Sequence, residues 1–247
     1  MAIYALAAAF FVTALLYASV GFGGGSTYSA LLALAGVDYR LLPILSLLCN
    51  IVVVAGSSLR FARAGITPWR GALLLTGIAA PAALLGGLTP IAEGDFFLLL
   101  GGSLIVAGLA LFIPQSIEDN APSRAARLIP FAAAPLGYLS GLVGIGGGIF
   151  LAPLLHLTRW RDARAIAATT SVFILVNSLF GLAGQMLKKG PDVLGSAVTL
   201  GLPLLLAVVV GGQIGSLMAL KFLQPRFIRW LTAALTIWVG SRLLFGV

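Results

Sequence analysis

Charge is what this sequence has least of. Only 9% of its 247 residues are Asp, Glu, Lys or Arg, and seven of those are acidic. A soluble domain carries about 25% charged residues. Fifteen basic and seven acidic side chains cannot clothe a globule of this size, so a water-soluble fold is excluded. The single cysteine, Cys49, sits in an apolar run, which excludes an internal disulfide and argues against redox chemistry. No Walker motif occurs, so the chain itself is not expected to hydrolyse ATP. The N-terminus, Met1-Ala2-Ile3-Tyr4, lacks a basic region, so no cleavable signal peptide is expected.

What is abundant is apolar. Hydrophobic residues make up 60% of the chain, and its mean hydropathy is +1.10. This is the composition of an integral membrane protein whose partner is the lipid bilayer. The net charge of +8 then reads as the positive-inside bias of membrane loops, not as a nucleic-acid surface. The 31 glycines and 12 prolines call for helices that are broken, closely packed or both.

A spanning helix needs about 20 mostly apolar residues. Segments 41–60, 69–90, 96–113, 164–187, 193–220 and 228–246 meet that test. Asp38, Glu93, Asp95, Glu118, Asp119, Asp162 and Asp192 all fall between them. Two further apolar regions, 2–36 and 129–158, are interrupted by Gly21-Phe22-Gly23-Gly24-Gly25-Ser26 and by Gly144-Ile145-Gly146-Gly147-Gly148. Each glycine costs a helix about 1 kcal/mol relative to alanine, so three in a row end it. Val20 to Gly25 aligns with Val143 to Gly148 at all but one position. Asn50 and Asn177 then sit alike in the next helix, after a slip of four residues. The chain therefore reads as a first repeat over 1–113, a linker over 114–128 and a second repeat over 129–247.

The basic residues choose between topologies. If each broken region crosses the bilayer once, they divide almost evenly. If each turns back at its glycines, only Arg40, Lys188, Lys189 and Arg242 lie on one face, and the other eleven share the opposite one. That imbalance is what the positive-inside rule expects. It also puts Trp69, Trp160 and Trp230 at one interface. The expected fold is an all-α integral membrane protein of two inverted repeats. Each repeat is a glycine-broken helical hairpin, re-entrant or double-crossing, followed by three transmembrane helices.

Non-helical backbone at membrane depth is tolerated only inside protein or along a watery cavity. The helix after each break points its free N–H groups and positive dipole end back at the glycines, which makes an anion site. The substrate-binding candidates are Gly21, Gly23, Gly24, Gly25, Gly144, Gly146, Gly147 and Gly148, with Ser26 and Thr27 as hydroxyl donors beside the first break. Asn50 and Asn177 join them through the repeat, and Gln213 is a weaker candidate. Gly77, Gly86, Gly87, Gly211 and Gly215 read as helix-packing positions. No carboxylate lies in a span, which fits a neutral or anionic substrate rather than a coupled cation. An intramembrane hydrolase would need an activated nucleophile, and neither Ser26 nor His156 has a buried acid to support one. No catalytic residue, metal site or cofactor is indicated. An anion channel with a glycine backbone filter is the other live class.

The blocks GFGGGSTYSALLAL at 21–34 and GLVGIGGGIFLAPLL at 141–155, with the later asparagines, resemble the sulfite exporter TauE/SafE family of membrane permeases. The resemblance covers essentially the whole chain. It implies a multi-pass protein of the cell inner membrane that transports a small sulfur-containing anion, such as sulfite or an organosulfonate. Its glycine motifs fall on the eight glycines named above, and its asparagines on Asn50 and Asn177. Which anion, in which direction and with which coupling ion is left open, as is a homodimer.

Overall fold

A computed structural model describes residues 3–20, 23–112, 123–218 and 225–245. Among them helix is the only regular structure. The order is α1 (Ile3–Val20), α2 (Gly25–Leu34), α3 (Leu42–Arg63), α4 (Trp69–Leu88) and α5 (Glu93–Phe112). A short 3₁₀ turn, Arg124–Leu128, leads into α6 (Ile129–Val143), α7 (Gly148–Leu157), α8 (Ala163–Lys189), α9 (Pro191–Met218) and α10 (Pro225–Phe245). Most of the expected linker 114–128 lies outside the described residues.

Among the described residues, six stretches are long and apolar enough to cross a bilayer: Leu42–Arg63, Trp69–Leu88, Glu93–Phe112, Arg124–Val143, Ala163–Lys188 and Ala197–Gly215. Five coincide with expected spans, and α10 occupies the sixth. The added one, 124–143, is the first arm of the second broken region. Leu74, Leu85, Leu98, Val106 and Phe131 stand exposed, a surface suited to lipid and costly in water. Pro81, Pro135, Pro153 and Pro203 lie inside helices without ending them, so the chain breaks come from the glycine blocks.

Both broken regions turn back. Eighteen residues of continuous helix would part Phe10 from Tyr28 by about 27 Å. Instead their rings stack with centroids 4.8 Å apart. In the second region, the Ser123 N–H donates to the Thr158 carbonyl at 3.0 Å, so the two ends of the hairpin meet. The Trp160 ring packs on Gly71 at the start of α4. Arg70, Arg124 and Arg161 are thereby gathered at one end of the molecule. At the other end, Lys188 Nζ donates to the Thr89 carbonyl at 3.0 Å, and Tyr39 lies 5.9 Å from Phe96. This is the arrangement that the basic residues select. A single crossing at each break would have put Arg70 and Arg161 at opposite ends. The second arms α2 and α7 have ten residues each, about 15 Å, half the hydrocarbon thickness.

Helices of one half pack chiefly on those of the other. α1 lies along α9 as α6 lies along α4; α3 meets α8, and α5 meets α10. Small residues allow the closest approaches. Gly86 faces the Tyr138 carbonyl, Gly87 that of Gly181, and Gly211 and Gly215 those of Phe11 and Leu15. The packing role expected of these four holds. Gly77 is a correction: it lies on the exposed face of α4, and a Cβ there would meet no atom within 4 Å.

That difference is measurable. Gly77→Ala should leave thermal stability in detergent unchanged or raise it by up to about 1 kcal/mol, the helix-propensity gain. Gly86→Ala should lower it, because the added methyl drives α4 off α6. Equal behaviour of the two variants would contradict this packing. Single-cysteine labelling in a Cys49→Ala background should find positions 124 and 161 on one side of the membrane and position 40 on the other.

Candidate functional site

The two breaks begin with backbone that only glycine adopts comfortably. Gly24, which caps α2, has φ 79° and ψ 7°; its repeat equivalent Gly147, which caps α7, has φ 75° and ψ −13°. These are left-handed conformations, costing other residues roughly 1–2 kcal/mol. Neither cap has a side chain, so the first-turn N–H groups of both half-helices are left to other partners. Each N-terminus carries a positive partial charge of about half a unit.

The breaks meet at one side chain. Asn50 on α3 donates its amide Nδ2 to the Ile145 carbonyl of the second break at 3.2 Å. One turn earlier, Ser46 Oγ donates to the Gly25 carbonyl of the first break at 3.0 Å. Ser46 and Asn50 share a helix face at i and i+4, so α3 holds one carbonyl from each break. Ser29 Oγ completes the link by donating to Ser46 Oγ at 3.0 Å. The contact leaves no space for side chains. A Cβ on Gly25 would strike both the Asn50 amide and the Ile145 carbonyl. A Cβ on Gly23 would lie 2.7 Å from Asn50 Oδ1 and 3.1 Å from Ile174, and one on Gly146 would lie 2.6 Å from Asn50 Nδ2 and 3.0 Å from Ile174. Equivalent glycines of the two breaks thus close on the same two residues.

The surroundings are buried and under-paired. Residues 23–30 and 140–148 are all buried. Asn50, Val54 and Ser57 form one stripe on α3; Thr170, Ile174 and Asn177 form its counterpart on α8, each at i, i+4, i+7. Among the described residues, Asn50 Oδ1, Ser57 Oγ, Thr170 Oγ1 and both amide atoms of Asn177 lack hydrogen-bond partners. Leaving one buried polar atom unpaired costs about 1–3 kcal/mol. Asp38, Glu93, Asp95 and Asp162 stay exposed at helix ends, and Asp162 caps α8 by accepting from the Arg164 and Ala165 N–H groups.

Most of the candidates named from the sequence are therefore neighbours. Gly23, Gly24, Gly25, Gly144, Gly146, Gly147 and Gly148 form the two breaks, and Asn50 joins them. Asn177 sits one turn beyond Ile174 on α8. Ser26 is buried beside the first break, while the Thr27 hydroxyl pairs with that of Tyr17 at 2.8 Å and so braces the hairpin. Gly21 lies outside the described residues. Gln213 is exposed on α9, unlike the buried set. Gln185 closes the end of α6, donating to the Gly141 carbonyl at 2.9 Å. The sequence does not reveal Val54 or Ile174, because an apolar residue in an apolar helix carries no signal. The role of Ser46 could be found only from its spacing to Asn50.

An all-helical membrane protein with two glycine-broken hairpins meeting at a buried asparagine belongs with the polytopic carriers in architecture. Comparison with known proteins narrows this. A match to the sulfite exporter TauE/SafE family covers residues 6–243, and the chain belongs to that family. It is 34% identical to a "Probable membrane transporter protein" of Sinorhizobium fredii, with 97% of each chain covered. It is 24% identical to another so named from Methanocaldococcus jannaschii, over 65% of this chain and 62% of the relative. A third, from Xylella fastidiosa, is 26% identical over 62% of this chain and 60% of the relative. No solved structure matches significantly.

The two asparagines should part company on substitution. Asn50→Leu strands the Ile145 carbonyl and should cost about 1–3 kcal/mol, seen as a lower unfolding midpoint in detergent. Asn177→Leu breaks no such bond and should match or exceed the parent.

Proposed function

We propose that this protein is a secondary transporter that moves a small sulfur-containing anion, such as sulfite or an organosulfonate, across the inner membrane. The anion sits near mid-depth between the N-termini of α2 and α7. The observation that carries this reading is the meeting of the two glycine breaks, each leading into a glycine-capped half-helix, at one wholly buried residue, Asn50. A half-helix that opens its positive dipole end at a break favours a negative ligand there. The names of the family and of the relatives supply the transporter class and the sulfur chemistry.

The two halves act as inverted repeats, each rocking against the other around the shared site. Support comes from the direction of equivalent helices. Gly101 of α5 faces Gly240 and Leu244 of α10, and Gly108 faces Ala233 and Ile237, so α5 and α10 run antiparallel.

Reconstituted protein should show saturable, counterflow-stimulated uptake of sulfite or a sulfonate; unitary currents would favour an anion channel instead. Gly24→Ala and Gly147→Ala place a methyl group at the helix N-termini for about 1–2 kcal/mol of backbone strain. Both should run as folded protein on gel filtration and lose at least about tenfold in flux. Unimpaired flux in either would end the claim that these breaks hold the anion.

A further inference from the structure

The Asn50 amide can face only one way. The Ile145 carbonyl only accepts, so the amide nitrogen turns towards it at 3.2 Å and the amide oxygen turns towards Gly23, with both amide atoms against Gly25. Asn50 is wholly buried, and among the described residues this oxygen has no hydrogen-bond partner. An amide oxygen is an acceptor and nothing else. It lies against Gly23 and Gly25 at the N-terminus of α2, the kind of place that draws negative charge. A fully deprotonated oxyanion seated there would press its own lone pairs against Asn50 Oδ1. A hydrogen on the ligand turns the same contact into a bond.

We propose that the site selects anions that carry their own hydrogen-bond donor. That class comprises protonated monoanions such as hydrogensulfite, and sulfonates with a hydroxyl or amino group beside the sulfur. It disfavours sulfate, the sulfite dianion and plain alkanesulfonates. The proposal rests on the reading that α2 and α7 hold the anion. Asn177 on α8, also wholly buried, has both amide atoms unpaired and so can present an acceptor or a donor. For an oxyacid cargo, the proton then crosses on the cargo itself, with no span carboxylate needed to relay it.

Methanesulfonate and hydroxymethanesulfonate have the same charge and differ by one hydroxyl, so they isolate the donor. Titrated calorimetrically into the purified wild-type chain, hydroxymethanesulfonate should bind about tenfold more tightly, the discrimination expected of one buried acceptor. Sulfite should bind more weakly as rising pH removes its proton. Folded Asn50→Leu should bring the two sulfonates within about twofold of each other. Equal affinities in the wild type would overturn the donor requirement and leave the anion site standing. A ratio unchanged in folded Asn50→Leu would overturn the role of Asn50. If both sulfonates and hydrogensulfite all fail to bind, the anion reading falls, and this proposal with it. The wild-type comparison decides the matter even if Asn50→Leu does not fold.

Discussion

A polar backbone group inside hydrocarbon has no water to turn to, and this constraint organises the whole chain. Helices meet it internally, which is why nearly every described residue is helical. The two glycine breaks cannot. The Gly24 and Gly147 carbonyls take N–H groups of the helices that follow, and α3 adds two side chains, Ser46 to the Gly25 carbonyl where α2 starts and Asn50 to that of Ile145. A polar pair at i and i+4 on an otherwise apolar helix thus makes both interruptions tolerable at once. It also fixes them against each other, so that α2 starts against the Ile145 carbonyl of the second break.

Much of this was legible beforehand, for identifiable reasons. Helix limits were clear because acidic residues punctuate the apolar runs. The breaks were clear because consecutive glycines cannot sustain a helix. The turn-back of each hairpin followed from the basic residues, and Asn50 from the repeat. Other features had no carrier in the sequence. Ile174 and Val54 close on the breaks, yet they look like any aliphatic pair in a buried helix. Gly77 resembles Gly86 in composition and neighbours, and only the face of α4 it occupies separates them. Which halves touch which also depends on long-range packing that no local pattern encodes.

The repeat is uneven where it matters. The first break is followed by Ser26 and Thr27, the second by Ile149 and Phe150. The position of Ser46 in α3 corresponds to Phe173 in α8, whose ring comes within 3.0 Å of a Cβ on Gly147. Asn50 spans the breaks, whereas Asn177 keeps both amide atoms unpaired. The residues that directly follow the breaks are therefore polar in the first half and apolar in the second.

The interlocking of the halves also bears on how the molecule is made. The main partner of α1 is α9, with Gly211 and Gly215 seated on the carbonyls of Phe11 and Leu15. At roughly 5–20 residues per second, a ribosome takes about 10–40 s to supply that partner. During that interval the first helix has reached the membrane and its principal packing face has nothing of its own chain to rest on. An insertase or chaperone that shelters early helices would matter more to this protein than to a bundle of sequential hairpins.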